Sequence, residues 1–283
     1  MTKSVLVAIV GKPNAGKSTL MNSIIDYRLS IVTPKVQTTR NIIRGILTKD
    51  ETQFIFFDTP GIFKPKNNLE KLIVKYAWDS LKGVDAVVLM IDGTRELDDE
   101  TSQLCTRLHK SYQLIIAINK KDIASKSNLS NQLKEIAPNA HIMQISALKR
   151  DGINDLLNYV EKFAVQSPWI YDEDLVTNLP LKFLTSEITR EQLFLNLGQE
   201  LPYNLTVLTE EMTKKDNNEY VIKQTIVVSK ESHKKIIIGK GGDKIKVINQ
   251  KARSCMEEYL GIKVHLFLFV SVKNWLSAAH MFV

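Results

Sequence analysis

The fold is decided by the stretch Gly11-Lys12-Pro13-Asn14-Ala15-Gly16-Lys17-Ser18, which has the pattern G-x-x-x-x-G-K-S. The apolar residues 5–10 before it predict a buried parallel strand, and residues 19–25 after it predict a helix. In that setting the glycines let several backbone N–H groups face one anion at the positive end of the helix. Lys17 supplies a charge for the outer phosphates, and the Ser18 hydroxyl suits Mg²⁺. We therefore predict that all eight residues bind nucleotide phosphates, and a chance glycine-rich turn is disfavoured.

Composition and length restrict the class of protein. The chain has 283 residues, of which 44% are hydrophobic and 24% charged, and this predicts a globular protein of two domains. No apolar run reaches the ~18 residues that span a bilayer, and Met1 is too close to the first strand for a signal peptide. Cys105 and Cys255 lie far apart, which suits thiols of a reducing cytosol better than a disulfide or a metal site. These features predict a cytoplasmic location.

Predicted strands and helices alternate as far as about residue 163. Strands at 42–48 and 52–57 are predicted to form a hairpin around residues 49–51. The alternation predicts an α/β fold over residues 1–164, with a mainly parallel sheet and helices on both faces. Ligands of such sheets bind beyond the carboxyl ends of the strands. The other predicted elements are helices at 69–81, 98–109, 129–136 and 152–163 and strands at 86–91, 113–118 and 141–145.

Two polar motifs fall at predicted strand ends. Asp58-Thr59-Pro60-Gly61 could be a plain turn, but beside a phosphate loop Asp58 can hold Mg²⁺ through water and the Gly61 N–H can bond a γ-phosphate. Asn119-Lys120-Lys121-Asp122 has the pattern N-K-x-D, whose carboxylate can accept from the two adjacent N–H groups of guanine. Ser146-Ala147-Leu148 suits a loop that completes the base site. The predicted guanine contacts are Asn119, Lys120, Asp122, Ser146 and Ala147.

These motifs, in this order, resemble the Ras-like GTPase superfamily. The long loop from Tyr27 to Asn41 contains Gln37-Thr38-Thr39-Arg40, which matches the switch I motif of the bacterial Era GTPases, although a polar loop tip is the alternative interpretation. The resemblance implies that one switch I threonine closes on magnesium when GTP is bound. We assign this role to Thr39, with Thr38 as the alternative. The predicted magnesium ligands are then Ser18, Thr39 and Asp58.

One residue departs from the Ras pattern. Ile62 stands where Ras-type proteins place the glutamine that orients the attacking water, and isoleucine can neither donate nor accept a hydrogen bond. The water must be aligned in another way, or hydrolysis by the chain alone is slow. In related GTPases the residue corresponding to Asn14 helps to hold K⁺ over the phosphates, which could replace an arginine finger. Asn14 could equally be structural.

The alternation breaks at residues 165–180, where Pro168 and Pro180 bracket an acidic stretch without bases. We predict a linker packed through Trp169 and Tyr171. A second domain is predicted over residues 181–283. Its predicted elements are a helix at 181–197, strands at 202–209 and 220–229, a helix, a G-x-x-G turn, a helix at 244–259 and a strand at 262–272.

The G-x-x-G turn, Gly239 to Gly242, indicates RNA binding. A turn without Cβ atoms admits a nucleic acid backbone, while a helix C-cap is the structural alternative. Residues 230–253 hold eight bases against two acids, which favours RNA. The predicted RNA contacts are Lys235, Gly239, Lys240, Gly241, Gly242, Lys244, Lys246 and Arg253.

The C-terminal half resembles the KH domain of the Era family at 186–191, 200–202, 236–246, 252–253 and 270–275. The resemblance spans essentially the whole chain and implies a P-loop G domain followed by a type II KH domain. It also implies GTP hydrolysis with Mg²⁺, binding near the 3′ end of 16S ribosomal RNA, and a role in assembly of the small ribosomal subunit and rRNA processing. It further implies a cytoplasmic protein with some association with the inner membrane face, and no stable protein partner is expected. His233, where many relatives have glutamine, and the tail 277–283 depart from the family pattern.

We considered two other functions. The chain could be an RNA-binding regulator that senses GDP and GTP with little turnover. A tRNA-modifying or membrane-only GTPase is disfavoured by the KH pattern.

Overall fold

The computed structural model describes residues 1–33, 42–63, 65, 68–124, 128–198, 201 and 205–273. It divides into two compact units, residues 1–178 and residues 179–283. None of the helices in these ranges is both long and apolar enough to cross a membrane.

The first unit is built on a mainly parallel sheet. Its strands are β1 (Lys3–Gly11), β2 (Ile43–Lys49), β3 (Thr52–Asp58), β4 (Ala86–Asp92), β5 (Leu114–Asn119), β6 (His141–Gln144) and β7 (Val165–Gln166). Its helices are α1 (Lys17–Ile25), α2 (Asn68–Asp79), α3 (Asp99–His109), α4 (Leu129–Ile136) and α5 (Ile153–Val160), the last followed by a 3₁₀ turn at Glu161–Phe163. The strands follow the order β2-β3-β1-β4-β5-β6, and β7 pairs antiparallel with the start of β1.

Apolar packing fixes the positions of the strand ends. The central strands β1, β4 and β5 are buried along nearly their whole length, as continuous apolar runs in a parallel sheet require. One face of the sheet packs on α3 and α4 through residues such as Leu89, Leu104, Ile116 and Leu133. The carboxyl ends of β1, β3, β4 and β5 consequently meet at one edge, where the polar motifs lie.

The segment predicted as a linker lies partly within the first unit. The side chain of Gln53, which is fully buried on β3, accepts from the backbone N–H groups of Ile170 and Tyr171 and donates to the carbonyl of Tyr171. The Trp169 indole donates to the carbonyl of Glu51, and the N–H of Ile46 on β2 donates to the carbonyl of Val176. Residues 165–178 therefore extend along β1, β3 and β2 before the second unit begins.

The second unit contains α6 (Leu181–Asn196), β8 (Leu205–Lys214), β9 (Tyr220–Val228), α7 (Glu231–Ile238), α8 (Asp243–Leu260) and β10 (Val264–Val272). The sheet has the order β10-β9-β8, with β9 antiparallel to β8 and parallel to β10. Its core joins α6, α7 and α8 to the sheet through the buried residues Leu193, Ile237, Ile248 and Ile226. Strand β8 continues to Lys214, five residues beyond the predicted end. Its distal half is mostly exposed and passes a β-bulge near Thr209, so its pattern lacks a continuous apolar run.

Candidate functional site

The loop between β1 and α1 has a backbone that its sequence requires. Gly11 and Gly16 have φ angles of 148° and 100°, in the region that favours glycine. A Cβ atom on Gly11 would lie 2.4 Å from the carbonyl oxygen of Met90, and one on Gly16 would lie 2.1 Å from Nδ2 of Asn119. Asn14 also has a positive φ, of 65°, which asparagine tolerates better than most residues. The loop therefore packs closely against the ends of β4 and β5, and α1 begins directly after it at Lys17.

The Lys17 side chain lies beneath this loop. Its Nζ donates to the carbonyl oxygens of Gly11, at 3.1 Å, and Lys12, at 3.0 Å. The residue is only 6% exposed, and burial lowers the pKa of the ammonium to about 8, although the nearby charge of Asp58 acts in the opposite direction. The ammonium is held by neutral carbonyls, which leaves its charge available for phosphate.

This pKa predicts a pH dependence of nucleotide affinity. Phosphate favours the charged ammonium, so binding requires proton uptake wherever Lys17 of the free protein is neutral. Affinity should be constant well below pH 8 and fall as pH rises through 8, by up to about tenfold per pH unit. Titration of GDP binding between pH 6.5 and 9 measures this. Lys17→Arg keeps its charge throughout and should show a flatter profile.

The stability of the nucleotide-free protein should change in the opposite direction. The unfolded chain keeps Lys17 protonated up to its usual value of 10.5, so between pH 8 and 10.5 it binds more protons than the folded chain. The contribution of Lys17 to folding stability therefore increases with pH in that window.

For the binding experiment, a GDP affinity that is constant from pH 7 to 9 would contradict the placement of the buried Lys17 ammonium at the phosphates.

The predicted magnesium ligands that the structure describes lie together. Ser18 Oγ donates to Oδ2 of Asp58 at 2.8 Å, and Asp58 is completely buried at the end of β3. A hydroxyl and a carboxylate are the oxygen donors that Mg²⁺ takes, so this pair fits the ion. Thr59 turns away and donates to the carbonyl of Ile9. The predicted switch I residues Gln37, Thr38, Thr39 and Arg40 lie outside the described residues.

Asn119 joins the two halves of the predicted nucleotide site. Its Nδ2 donates to the carbonyl of Ala15 in the phosphate loop, and its Oδ1 accepts from the N–H of Ala147, both at 2.9 Å. Ser23 on α1 also donates to the carbonyl of Ala147, at 2.6 Å. Asn119 is only 3% exposed, and the hydrogen bonds of its amide hold both loops in position.

The other base-site residues surround an open position. The Asp122 carboxylate is exposed, and a hydrogen bond with Ser146 lowers its pKa. Lys120 has a positive φ of 66°, and its Nζ donates to Oδ2 of Asp92 at 2.6 Å. Asp92, at the end of β4, is itself held by the N–H and hydroxyl of Thr94. Asp92 was not predicted, although its position after a buried strand was a usable signal.

One cleft of about 540 Å³ contains the phosphate and base loops, a volume typical of small-molecule sites. The predicted residues on its wall are Pro13, Asn14, Gly16, Lys17, Ser18, Gly61, Asn119, Lys120, Asp122 and Ser146. The sequence did not single out Ile31, Val32, Thr33, Arg95 and Ile123, which also line it.

Two residues that the sequence singled out do not line the cleft. Lys12 was predicted to bind phosphate as a residue of the loop, and its side-chain ammonium forms ion pairs with Asp98 and Glu100 at the start of α3, each at 2.8 Å. Ile62 is 8% exposed and belongs to the apolar core that also contains Leu89 of the sheet and Leu104 of α3. Its side chain offers no polar group to water, in agreement with the expectation from its residue type.

The G-x-x-G turn of the second unit is a short 3₁₀ segment, Lys240–Gly242, between α7 and α8. A Cβ on Gly239 would lie 2.7 Å from Cβ of Lys244, so glycine is required there, whereas a Cβ on Gly241 would meet nothing within 4 Å. Lys235, Lys240, Lys246 and Arg253 are exposed and Lys244 is half-buried. Ile236 and Val247, each 46% exposed, add apolar surface on α7 and α8. This turn can admit a phosphate backbone beside an apolar surface.

A phosphate loop, an N-K-x-D loop at a strand end and a separate G-x-x-G unit define a G protein with a KH domain. Family models agree: one described as 50S ribosome-binding GTPase matches residues 6–120, and one described as KH domain matches residues 200–276. GTPase Era of Rickettsia conorii is 51% identical over 96% of this chain and 81% of its own length. GTPase Era of Ehrlichia ruminantium is 43% identical over 96% and 94%. The chain belongs to the Era family of GTPases.

Solved structures agree with this assignment. A crystal structure of Era in complex with MgGDPNP and nucleotides 1506–1542 of 16S ribosomal RNA matches with a TM-score of 0.91 and 36% identity, over 97% of this chain and 95% of that one. Aquifex aeolicus Era bound to GDP·AlF4⁻ matches with the same TM-score, identity and coverage. The predicted fold class and family are thereby confirmed.

Proposed function

We propose that this protein binds and hydrolyses GTP, binds 16S ribosomal RNA near its 3′ end, and acts in assembly of the 30S subunit and in rRNA processing. The observation that carries the nucleotide part is Asn119, which fixes the phosphate loop and the Ser146–Ala147 loop to each other across one cleft. The RNA part is supported by the exposed G-x-x-G turn and the lysine and arginine side chains around it. It is also supported by the relative whose structure contains 16S ribosomal RNA.

The residues around the phosphates have distinct roles in this proposal. Ser18 and Asp58 would hold Mg²⁺, with Thr39 joining them when GTP is bound, and the ion would neutralise phosphate charge. Lys17 and the N–H groups of the phosphate loop orient the γ-phosphate and stabilise the charge that develops on it. The Asp122 carboxylate selects guanine over adenine.

The alternative, a regulator that senses GDP and GTP with little turnover, is favoured by one observation. Ile62 is buried in apolar surroundings, and no polar side chain at that position can orient water. We propose that K⁺ held by Asn14 supplies the missing activation, with rRNA contacts as the other source. Asn14 lies on the cleft wall with a positive φ, in a position that faces the phosphate site.

Potassium dependence tests hydrolysis against sensing. GTP hydrolysis should be faster in KCl than in NaCl at equal ionic strength, because a dehydrated K⁺ can place charge near the phosphates. Asn14→Ala should remove the difference between the two salts. The measurement is phosphate release under single turnover, with and without RNA.

Equal rates in both salts would reject the potassium proposal and leave RNA as the activator. Negligible hydrolysis in either salt, with or without RNA, would favour the sensing regulator.

We propose a cytoplasmic location with peripheral contact at the inner membrane face, as the family resemblance suggests. Fractionation of cells in low and high salt tests this, since a peripheral protein held by basic charge should be released by salt.

A further inference from the structure

The side chain of Lys12 connects the phosphate loop to the start of α3. Its Nζ lies 2.8 Å from Oδ2 of Asp98 and 2.8 Å from Oε2 of Glu100. Burial alone would lower the pKa of Lys12, but the two carboxylates more than offset this effect, and the pKa is raised. Burial would likewise raise the pKa of Asp98, but hydrogen bonds from Lys12 and Thr101 bring it down to about 2. Lys12 and Asp98 are therefore both charged at neutral pH.

Asp98 is fixed independently of Lys12. Its Oδ1 accepts from the backbone N–H of Thr101 at 2.8 Å, so Asp98 is the N-cap of α3. The helix is anchored in turn by Leu104 and Leu108, which are buried in the core beneath the sheet. The two carboxylates thus stand on a rigid element.

The backbone of Lys12 has a second function in the loop. Its carbonyl oxygen accepts from Nζ of Lys17 at 3.0 Å and from the N–H of Ala15 at 3.3 Å. The side chain of Lys12 therefore anchors a residue whose carbonyl helps to hold the buried Lys17 ammonium. The second acceptor is the carbonyl of Gly11. The chain of contacts therefore runs from α3 to the ammonium that is proposed to bind the phosphates.

We propose that Asp98 and Glu100 are positioning residues for nucleotide binding, which act through Lys12 to fix the phosphate loop and Lys17. They touch no nucleotide themselves, and we call them, with Lys12, the α3 latch. The inference rests on the nucleotide part of the proposed function and is independent of RNA.

A direct phosphate contact by Lys12 predicts the opposite result. If the Lys12 ammonium bound phosphate, its carboxylate partners would compete with the nucleotide, and neutralising them would tighten binding. If the latch holds the loop in place, neutralising them loosens the loop and weakens binding.

The first test is the double variant Asp98→Asn with Glu100→Gln. Asparagine remains a good N-cap, so α3 keeps its first turn. The matched control is Glu96→Gln with Asp99→Asn, which removes two charges from exposed residues at the same end of the helix. We expect GDP to bind about three- to tenfold more weakly than to the control, the range for partly exposed charged pairs. Unchanged or tighter GDP binding would overturn the proposal.

The second test exchanges the charges. Lys12→Glu alone places three carboxylates together and should weaken GDP binding more than the neutral double variant does. Adding Asp98→Asn and Glu100→Lys restores one opposite pair and should recover at least threefold of the lost affinity. A purely phosphate-binding Lys12 gives no recovery, because the new carboxylate would repel the nucleotide, and that result would also overturn the latch. Thermal unfolding without nucleotide identifies variants that have lost the fold.

These measurements use GDP and the full chain without RNA. A failure of the latch would leave GDP bound normally in the neutral double variant, whereas a failure of the proposed nucleotide site would show as weak GDP binding by the unaltered protein.

Discussion

Asp122→Asn should weaken GTP binding by about 100-fold or more and make xanthosine triphosphate the better ligand. The carboxylate is exposed in the cleft beside Ser146 and free of an ion pair among the described residues, so its acceptor oxygens can receive the two N–H groups of guanine. Replacing these charge-assisted bonds by an amide loses about 1.5–3 kcal/mol for each bond. Xanthine offers an acceptor where guanine has its amino group, and the asparagine amide can donate to it.

The control for this change is Asp151→Asn. Asp151 is exposed and pairs with Lys121 at 2.7 Å beside the same loop, so its replacement alters charge near the cleft without removing a predicted base contact. Equilibrium competition between GTP and xanthosine triphosphate measures both variants. A variant at Asp122 that binds GTP as tightly as the unaltered protein would show that the base lies elsewhere.

Lys240→Asp with Gly241→Asp should abolish binding of a single-stranded RNA from the 3′ end of 16S rRNA. The two new carboxylates repel phosphate at the turn where its backbone would approach most closely. The turn should tolerate the change, because a Cβ on Gly241 meets no atom within 4 Å and aspartate accepts a positive φ better than most residues.

The matched control is Lys214→Asp with Asn217→Asp, which makes the same change of charge at the exposed β8–β9 hairpin. It should weaken RNA binding only slightly, by the general effect of charge. Affinity for GTP without RNA should be unchanged in both variants. If the variant with Lys240→Asp and Gly241→Asp still bound RNA, this turn would not be the RNA site.

Much of the architecture could be predicted because its signals are local. The continuous apolar runs of β1, β4 and β5 predict buried parallel strands, and the motifs that follow them fall at the same edge by topology. Gly11 and Gly16 belong to the recognisable loop motif, and the structure requires glycine at both, since an added Cβ would clash with the Met90 carbonyl oxygen at Gly11 and with the Asn119 side chain at Gly16.

The features that escaped prediction depend on contacts between distant parts of the chain. Lys12 was predicted to bind phosphate as a residue of the loop motif, and this stays a prediction. The ion pairs of its side chain were not predicted, because Asp98 and Glu100 lie far along the sequence. The predicted base contact of Asn119 stays a prediction, but the hydrogen bonds of its amide to Ala15 and Ala147 were not predicted, because no spacing rule contains this pairing. The hydrogen bonds of Gln53 to residues 170 and 171 likewise required the folded structure.

GTP binding and RNA binding are the two parts of the proposed function, and we propose in addition that they are coupled in one chain. If GTP favours a conformation in which the Gly239–Gly242 turn accepts RNA, RNA binds the GTP form more tightly and, by reciprocity, tightens GTP binding by the same factor. Couplings of this kind are about 1–3 kcal/mol, or roughly 5- to 150-fold in affinity.

The most direct measurement is the affinity for one 16S 3′-end RNA, at one salt concentration, with GDP and with a non-hydrolysable GTP analogue. We predict an affinity at least fivefold higher with the GTP analogue. Identical RNA affinities with GDP and with the GTP analogue would contradict the coupling, even if the protein bound nucleotide and RNA well.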